Sequence, residues 1–239
     1  MTNRWGFKAL DQIVLVAMTV AVLILVLYLS LMPLALNRSF YHEQFVQNHS
    51  SEAANMSLET LDQVIDHVLT YLEDKHDNMQ IVVETLDHQS VNAFRDREIQ
   101  HMVDVKVLFI EGRRIARIAL FFLGVALAYL AYRQKHIIRT WAKVPLFTLV
   151  GFFAIVFAVG IYALFDFYGV FEAFHHIFFS NDLWLLDYND LLIIMLPESL
   201  FSTIAFRTLS TFVASLVAAI IGFSLLYHRQ RHQLHHNDQ

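Results

Sequence analysis

The sequence predicts an all-α membrane protein, with four transmembrane helices and a mostly helical extracytoplasmic cap. Three observations carry this. Of 239 residues, 56% are hydrophobic and 16% charged, too little polar surface to coat a soluble globule. Four runs are apolar for long enough to cross a hydrocarbon core, which takes ~20 helical residues. The polar residues gather into two blocks between those runs. Cysteine is absent, which removes disulfides, thiolate ligands and cysteine nucleophiles, and a formal charge of -5 argues against nucleic acid as a partner.

The first unit, 1–36, is a short N-terminus and a span from Ile13 to Leu36, 24 uncharged residues. It exceeds the ~7 to 15 residues of a cleavable signal core and no small-x-small site follows, so it reads as a retained anchor. Pro33 is placed to bend its end. The second span, 112–133, carries only Arg117 near the start of its Ile115–Tyr132 run; a turn at 134–143 leads to the third, 144–165. The fourth, 208–227, precedes a tail at 228–239, and Pro197-Glu198 reads as a helix start, since proline at the first helical position loses no needed hydrogen bond. An even number of crossings puts 37–111 and 166–207 on one face. Arg4, Lys8, Arg133, Lys135, Arg139, Lys143, Arg229 and Arg231 flank the opposite face, against Lys106, Arg113, Arg114 and Arg117 near this one. The basic excess points the termini and the short turn to the cytoplasm and both large loops outside.

Between Asn37 and Glu111 lie fourteen acidic residues, enough polar chain for a small cap. Leu58, Leu61, Ile65, Val68, Leu69 and Leu72 recur at helical spacing behind Ser57 as a cap, predicting an amphipathic helix over 58–74. A second helix is expected over Asp96–Ile110, with His101, Asp104, Val105 and Leu108 on one side, and a short strand over Ile81–Leu86. In the other loop Phe171, Phe174, Phe178, Phe179, Trp184 and Tyr188 form an aromatic segment expected to lie at the headgroup level.

No span has an ionisable group at its centre, which demotes ion-coupled transport. Charges gather instead at the boundary of the two loops. Arg113, Arg114 and Arg117 there read first as headgroup anchors or as substrate positioners, and Asp166 and Arg207 flank spans three and four. Histidine suits proton transfer near neutral pH, and the chain has 13. His42, His49, His67, His76 and His88 sit in polar contexts that favour a solvated role. His228, His232, His235 and His236 crowd the tail as a solvated basic end. His101, between apolar neighbours and within reach of Asp104, and His175, in a hydrophobic stretch, differ.

The stretch Phe174-His175-His176-Ile177-Phe178-Phe179, followed by Trp184, Asp187, Asp190, Leu192-Ile193 and Leu196-Pro197-Glu198, resembles the signature of a bacterial four-span family, the lipoprotein intramolecular transacylases called Lit. Arg97-Glu98-Ile99, His101-Met102-Val103-Asp104-Val105-Lys106 and Leu108-Phe109 resemble the family segment before the second span. The resemblance implies movement of an acyl chain within a diacylated bacterial lipoprotein, from the sn-2 ester of its glyceryl group to the α-amine of the lipidated N-terminal cysteine. A lyso-form lipoprotein results. It also implies two catalytic histidines, which fall on His101 and His175; a shifted register would select His176. Ser202 and Thr203 stand where relatives often carry more polar residues.

Ester-to-amide exchange is downhill and brings its own nucleophile, so no cofactor and no metal is expected. One histidine would act as base toward the amine and the other as acid toward the departing glyceryl oxygen, in either order. Lys106, Arg207 or backbone amides of 175–184 are candidate oxyanion donors, Asp104 and Asp166 candidate orienting groups, and Trp184 a positioner of substrate or headgroup. Two other readings stay open: a metal-dependent membrane hydrolase using His101, His175, His176 and Asp104, and a non-enzymatic scaffold whose acidic cap docks a partner. Membrane lipid is an expected partner; oligomeric state is not legible.

Overall fold

The structure, a computed structural model, describes residues 3–133 and 143–237; all of the expected 134–143 turn but its last residue lies outside them, as do the side chains of the four tail histidines. Helix α1 (Asn3–Ala35) leads into the cap, made of α2 (Arg38–Gln47), α3 (Ser50–Ala54), α4 (Leu58–Leu72) and a hairpin of β1 (Val82–Glu84) with β2 (Ser90–Asn92). Then come α5 (Asp96–Arg133), α6 (Lys143–Phe165), α7 (Phe167–Phe178), α8 (Leu191–Met195) and α9 (Glu198–Asn237). Four of these are long and apolar enough to cross a membrane: α1, α5, α6 and α9.

Helix α1 packs against α5, α6 and α9. Small buried residues on α5, Ala116, Ala119 and Ala126, let the α1 backbone approach closely, while Ile115, Ile118, Phe121 and Phe122 of the same helix stay exposed for lipid. At the end away from the cap, the Tyr129 hydroxyl and the Arg133 guanidinium donate to the two oxygens of buried Asp11 (2.6 and 3.2 Å), tying α5 to α1.

The expected amphipathic helix is α4, and the Ser57 hydroxyl caps it by accepting from the Thr60 amide at 3.0 Å. Its apolar face, Leu61, Val64, Ile65, Val68 and Leu69, is covered by Phe40, Tyr41 and Phe45 of α2, by Met102 of α5, and by Leu191, Leu192 and Met195 of α8. The last three belong to the segment expected at the headgroups. Part of it therefore builds the cap core instead, because its leucines complete a face that α2 alone leaves open. The expected strand is β1, paired antiparallel with β2.

The helix expected over 96–110 does not end. It continues into the second span as one helix of 38 residues. At ~1.5 Å per residue that is about 57 Å, nearly twice the ~30 Å core, so Asp96–Glu111 stands in the cap and only the later part crosses. Gly112 could end a helix only in a left-handed conformation, and it has no positive φ; no proline follows it. The consequence is positional: His101 is mounted on a rigid extension of a span.

Candidate active site

Asp166 folds the chain back after α6. Its carboxylate accepts from the Gly169 amide (2.8 Å) and the Tyr162 hydroxyl (2.9 Å), which makes it the N-cap of α7 and leaves its neighbours free to turn. Helix α7 then carries His175 in its last turn, toward the second turn of α5. The His101 and His175 rings meet there with centroids 6.0 Å apart and planes tilted by 33°. Both are buried, at 9% and 6% exposed.

The His175 ring is clamped between Phe171 (4.3 Å) and Trp184 (4.7 Å, 32°), with Phe174 and Phe179 further around it at 5.5 and 5.6 Å. Its Nδ1 lies 2.7 Å from the Phe171 carbonyl oxygen. A carbonyl only accepts, so Nδ1 carries the proton and Nε2 keeps the lone pair. Burial pulls the His175 pKa down, with the Phe171 carbonyl pulling it up and His176 adding to the fall. His101 packs edge-on to Phe179 at 5.3 Å. Burial, then the neighbouring His175, lowers its pKa to about 4, against the pull of Asp104. Near pH 7 both imidazoles are neutral. His101 Nδ1 and Trp184 Nε1 are buried without a hydrogen-bond partner, two uncommitted polar atoms beside one pair of rings.

Four contacts bind the chain after α7 to the first turns of α5. The Asn181 amide donates to Asp104 (2.9 Å), and the Arg97 guanidinium donates to the Asp182 carbonyl. Arg95 pairs with Asp190 at 2.8 Å. Glu98, 1% exposed, accepts from the Arg95 amide (2.7 Å) and the Leu192 amide (2.8 Å), capping α5 with one oxygen and α8 with the other. The sequence reading did not assign Glu98 a role; its position three residues after Arg95, at the start of a helix, was the available sign.

Asp104 thus reaches His101 through its field, while its hydrogen bond goes to Asn181. Trp184 is at the pair. The remaining candidates are elsewhere. Lys106 is bonded to Asp74 (2.9 Å), Asp77 (3.0 Å) and the His76 carbonyl (2.9 Å), clasping the loop after α4. Asp166 caps α7. Arg113 donates to the Leu72 carbonyl, Arg114 pairs with Glu111 and Arg117 donates to the Arg113 carbonyl. Arg207 stacks its guanidinium over the Phe40 ring at 5.2 Å. His176 is exposed, 3.9 Å from Glu172, and edges onto Trp184 rather than facing His101. Among the described residues no group of three His, Cys, Asp or Glu side chains is arranged to hold a metal ion.

Chemically, this is a buried, aromatic-walled pair of neutral imidazoles, one of them of fixed tautomer. It can accept and return a proton, and it disfavours an ammonium group.

The family model described as lipoprotein intramolecular transacylase Lit matches residues 16–201. No curated protein matches the chain. Among solved structures, the chain is similar to the membrane integral lipoprotein intramolecular transacylase Lit from Bacillus cereus, with 18% identity and a TM-score of 0.72 over 94% of this chain and 99% of that one. Two further structures of that protein, each with one histidine replaced, by arginine or by alanine, give TM-scores of 0.73 and 0.71 at 18% and 17% identity. The arginine form is covered over 97% of its length and the alanine form over 99%, each by 96% of this chain.

Proposed function

The chain belongs to the lipoprotein intramolecular transacylase Lit family, an integral membrane acyltransferase, and from that premise we propose that His101 and His175 perform its reaction. The substrate is a diacylated lipoprotein. Its N-terminal α-amine attacks the sn-2 ester carbonyl of its own glyceryl group, forming the N–C bond. The nitrogen turns acidic on attack, and His175 Nε2 takes its proton. The C–O bond to glycerol breaks and the same proton goes to the departing oxygen, delivered by His175 or relayed through His101. The products are an N-acyl amide and a free sn-2 hydroxyl, and each imidazole is left neutral as it began.

The observation that carries this reading is the tautomer: Nδ1 of His175 is committed to the Phe171 carbonyl, which leaves a basic nitrogen in a buried aromatic pocket. The same burial supports the neutral form of an amine whose ordinary pKa is ~7.7 to 8.0. Intramolecularity supplies high effective concentration, so no acyl-enzyme is required. Two acyl chains leave lipid only at ~0.8 kcal/mol per exposed methylene, so the pocket is reached sideways from the leaflet on the cap side. The distribution of basic residues supports placing that side outside the cytoplasm.

The test is expression in a bacterial host lacking N-acyl transfer, with mass spectrometry of a lipoprotein N-terminus. The expected product carries one acyl chain on the amine and one on the glyceryl group. His101→Gln and His175→Gln, present in the membrane at wild-type amounts, are expected to leave the diacylglyceryl form unchanged. An active double variant would end the proposal.

A further inference from the structure

A second feature lies outside the histidine pocket. Between the last turns of α1 and the cap-side part of α9 runs a groove of about 550 Å³, walled by Leu29, Pro33 and Leu34 on one side and by Phe206, Arg207 and Thr211 on the other. That volume is within the ~300 to 1,000 Å³ of small-molecule sites. Its depth is the boundary level, since α1 ends at Ala35 and the cap begins at Arg38. Three polar oxygens in its wall are already committed: Ser30 and Ser210 donate to carbonyls one turn back on their own helices (2.8 Å each), and Asn37 accepts from the Phe40 amide (3.2 Å).

Arg207 is the exception. Every other arginine and lysine whose side chain is described donates to a carboxylate or a carbonyl, as in Arg38 to Asp66, Arg97 to Asp182 and Arg117 to Arg113. Arg207 has neither among the described residues. What it has is the Phe40 ring at 5.2 Å, a cation–π contact that leaves its N–H groups without a carboxylate or carbonyl partner at the groove wall. An unpaired guanidinium over an apolar groove at headgroup depth complements a molecule with an anionic head and an acyl tail.

The lipoprotein end that reacts in the proposed function does not fit. It presents esters, a thioether and an amine, and Arg207 repels the amine when it is protonated. We infer that the α1–α9 groove is a binding site for a membrane phospholipid, its phosphodiester on Arg207 and one acyl chain between the two helices. Phe206, in the groove wall, neighbours Phe167 (6.4 Å), and Phe167 neighbours Phe171 (6.4 Å), whose ring lies 4.3 Å from that of His175. The bound lipid thus packs against the far end of the aromatic row that clamps the base.

Native mass spectrometry of the full chain, delipidated in detergent and titrated with phosphatidylglycerol, tests this directly. One adduct per chain is expected, weakened about tenfold or more by Arg207→Gln, retained by Arg207→Lys, and unaffected by Arg117→Gln, a boundary arginine outside the groove. Diacylglycerol, which lacks the phosphate, and inorganic phosphate, which lacks the chains, are each expected to bind far more weakly. Equal adducts on Arg207→Gln, equal retention of diacylglycerol, or displacement of the lipid by a synthetic diacylglyceryl lipopeptide would each overturn the site. Acyl transfer measured on the same samples reports separately on the histidine mechanism, since the lipid adduct is read without turnover.

Discussion

Acidifying the wild-type enzyme probes the state of its imidazoles. The His101 ring is 9% exposed, and burial with the adjacent His175 takes its pKa from 6.5 to about 4. At pH 5.5 an ordinary imidazole is ~90% protonated and inactive as a base, whereas one at 4 is still ~97% neutral. The substrate amine contributes its own dependence, losing ~10-fold in neutral fraction per pH unit below its pKa whatever the enzyme does. Between pH 7 and 5.5 the amine alone lowers kcat/KM ~30-fold, and an imidazole titrating at its ordinary value would take the fall to ~250-fold; the lowered pKa of both rings keeps the observed fall below that larger figure. The assay is initial-rate acyl transfer on a synthetic diacylglyceryl lipopeptide in mixed micelles, read by mass spectrometry. Log rate against pH should steepen at a lower pH than an ordinary imidazole would impose, since the pKa of both rings is lowered. A slope doubling between pH 6 and 7 would refute the neutral buried pair. The same shift acts on stability: the unfolded chain takes up the His101 proton below 6.5 and the folded one only below about 4, so stability is lost as pH falls through that window, by about 3 kcal/mol in all.

Other perturbations follow from the same geometry. His175→Gln removes the lone pair at Nε2 and should cost ~10²- to 10⁴-fold in rate, with the thermal midpoint little changed at pH 7. Glu98→Gln turns one of two accepting oxygens into a donor facing a backbone N–H, and should cost about 1–3 kcal/mol, seen as a lower thermal midpoint and a slower enzyme. Trp184→Phe, which keeps an aromatic face on His175, should retain most activity. Trp184→Ala should lose about 10²-fold, since it frees the ring to tilt out of register. Equal activity of these two variants would show that the clamp is dispensable.

Much of this molecule is readable along the chain, because lipid imposes a length on an apolar run and a helix imposes a period. The four spans, the capped helix after Ser57, the strand near Val82 and the helix start at Pro197-Glu198 all rest on such local rules. The family motifs singled out His101 and His175. Local rules fail where a segment's fate depends on a distant partner. The aromatic loop looked like a headgroup layer, but Leu191, Leu192 and Met195 had a hydrophobic face of α4 to complete, which no pattern within the loop reveals.

The candidates for support of the pair divide on the same ground. Lys106 stands five residues from His101, close enough in sequence to suggest an oxyanion donor, yet its ammonium is held by Asp74 and Asp77 on the other side of the helix. Glu98 and Asn181, given no role from the sequence, pin the two histidine-bearing segments together. Composition and periodicity determined that this chain spans the membrane four times under a helical cap, since burial of apolar surface depends only on what each residue is. The distance between two imidazoles and the burial that keeps both neutral were decided by tertiary contact, since each depends on which groups the fold sets beside them; the tautomer of His175 is set within its own helix, by the Phe171 carbonyl.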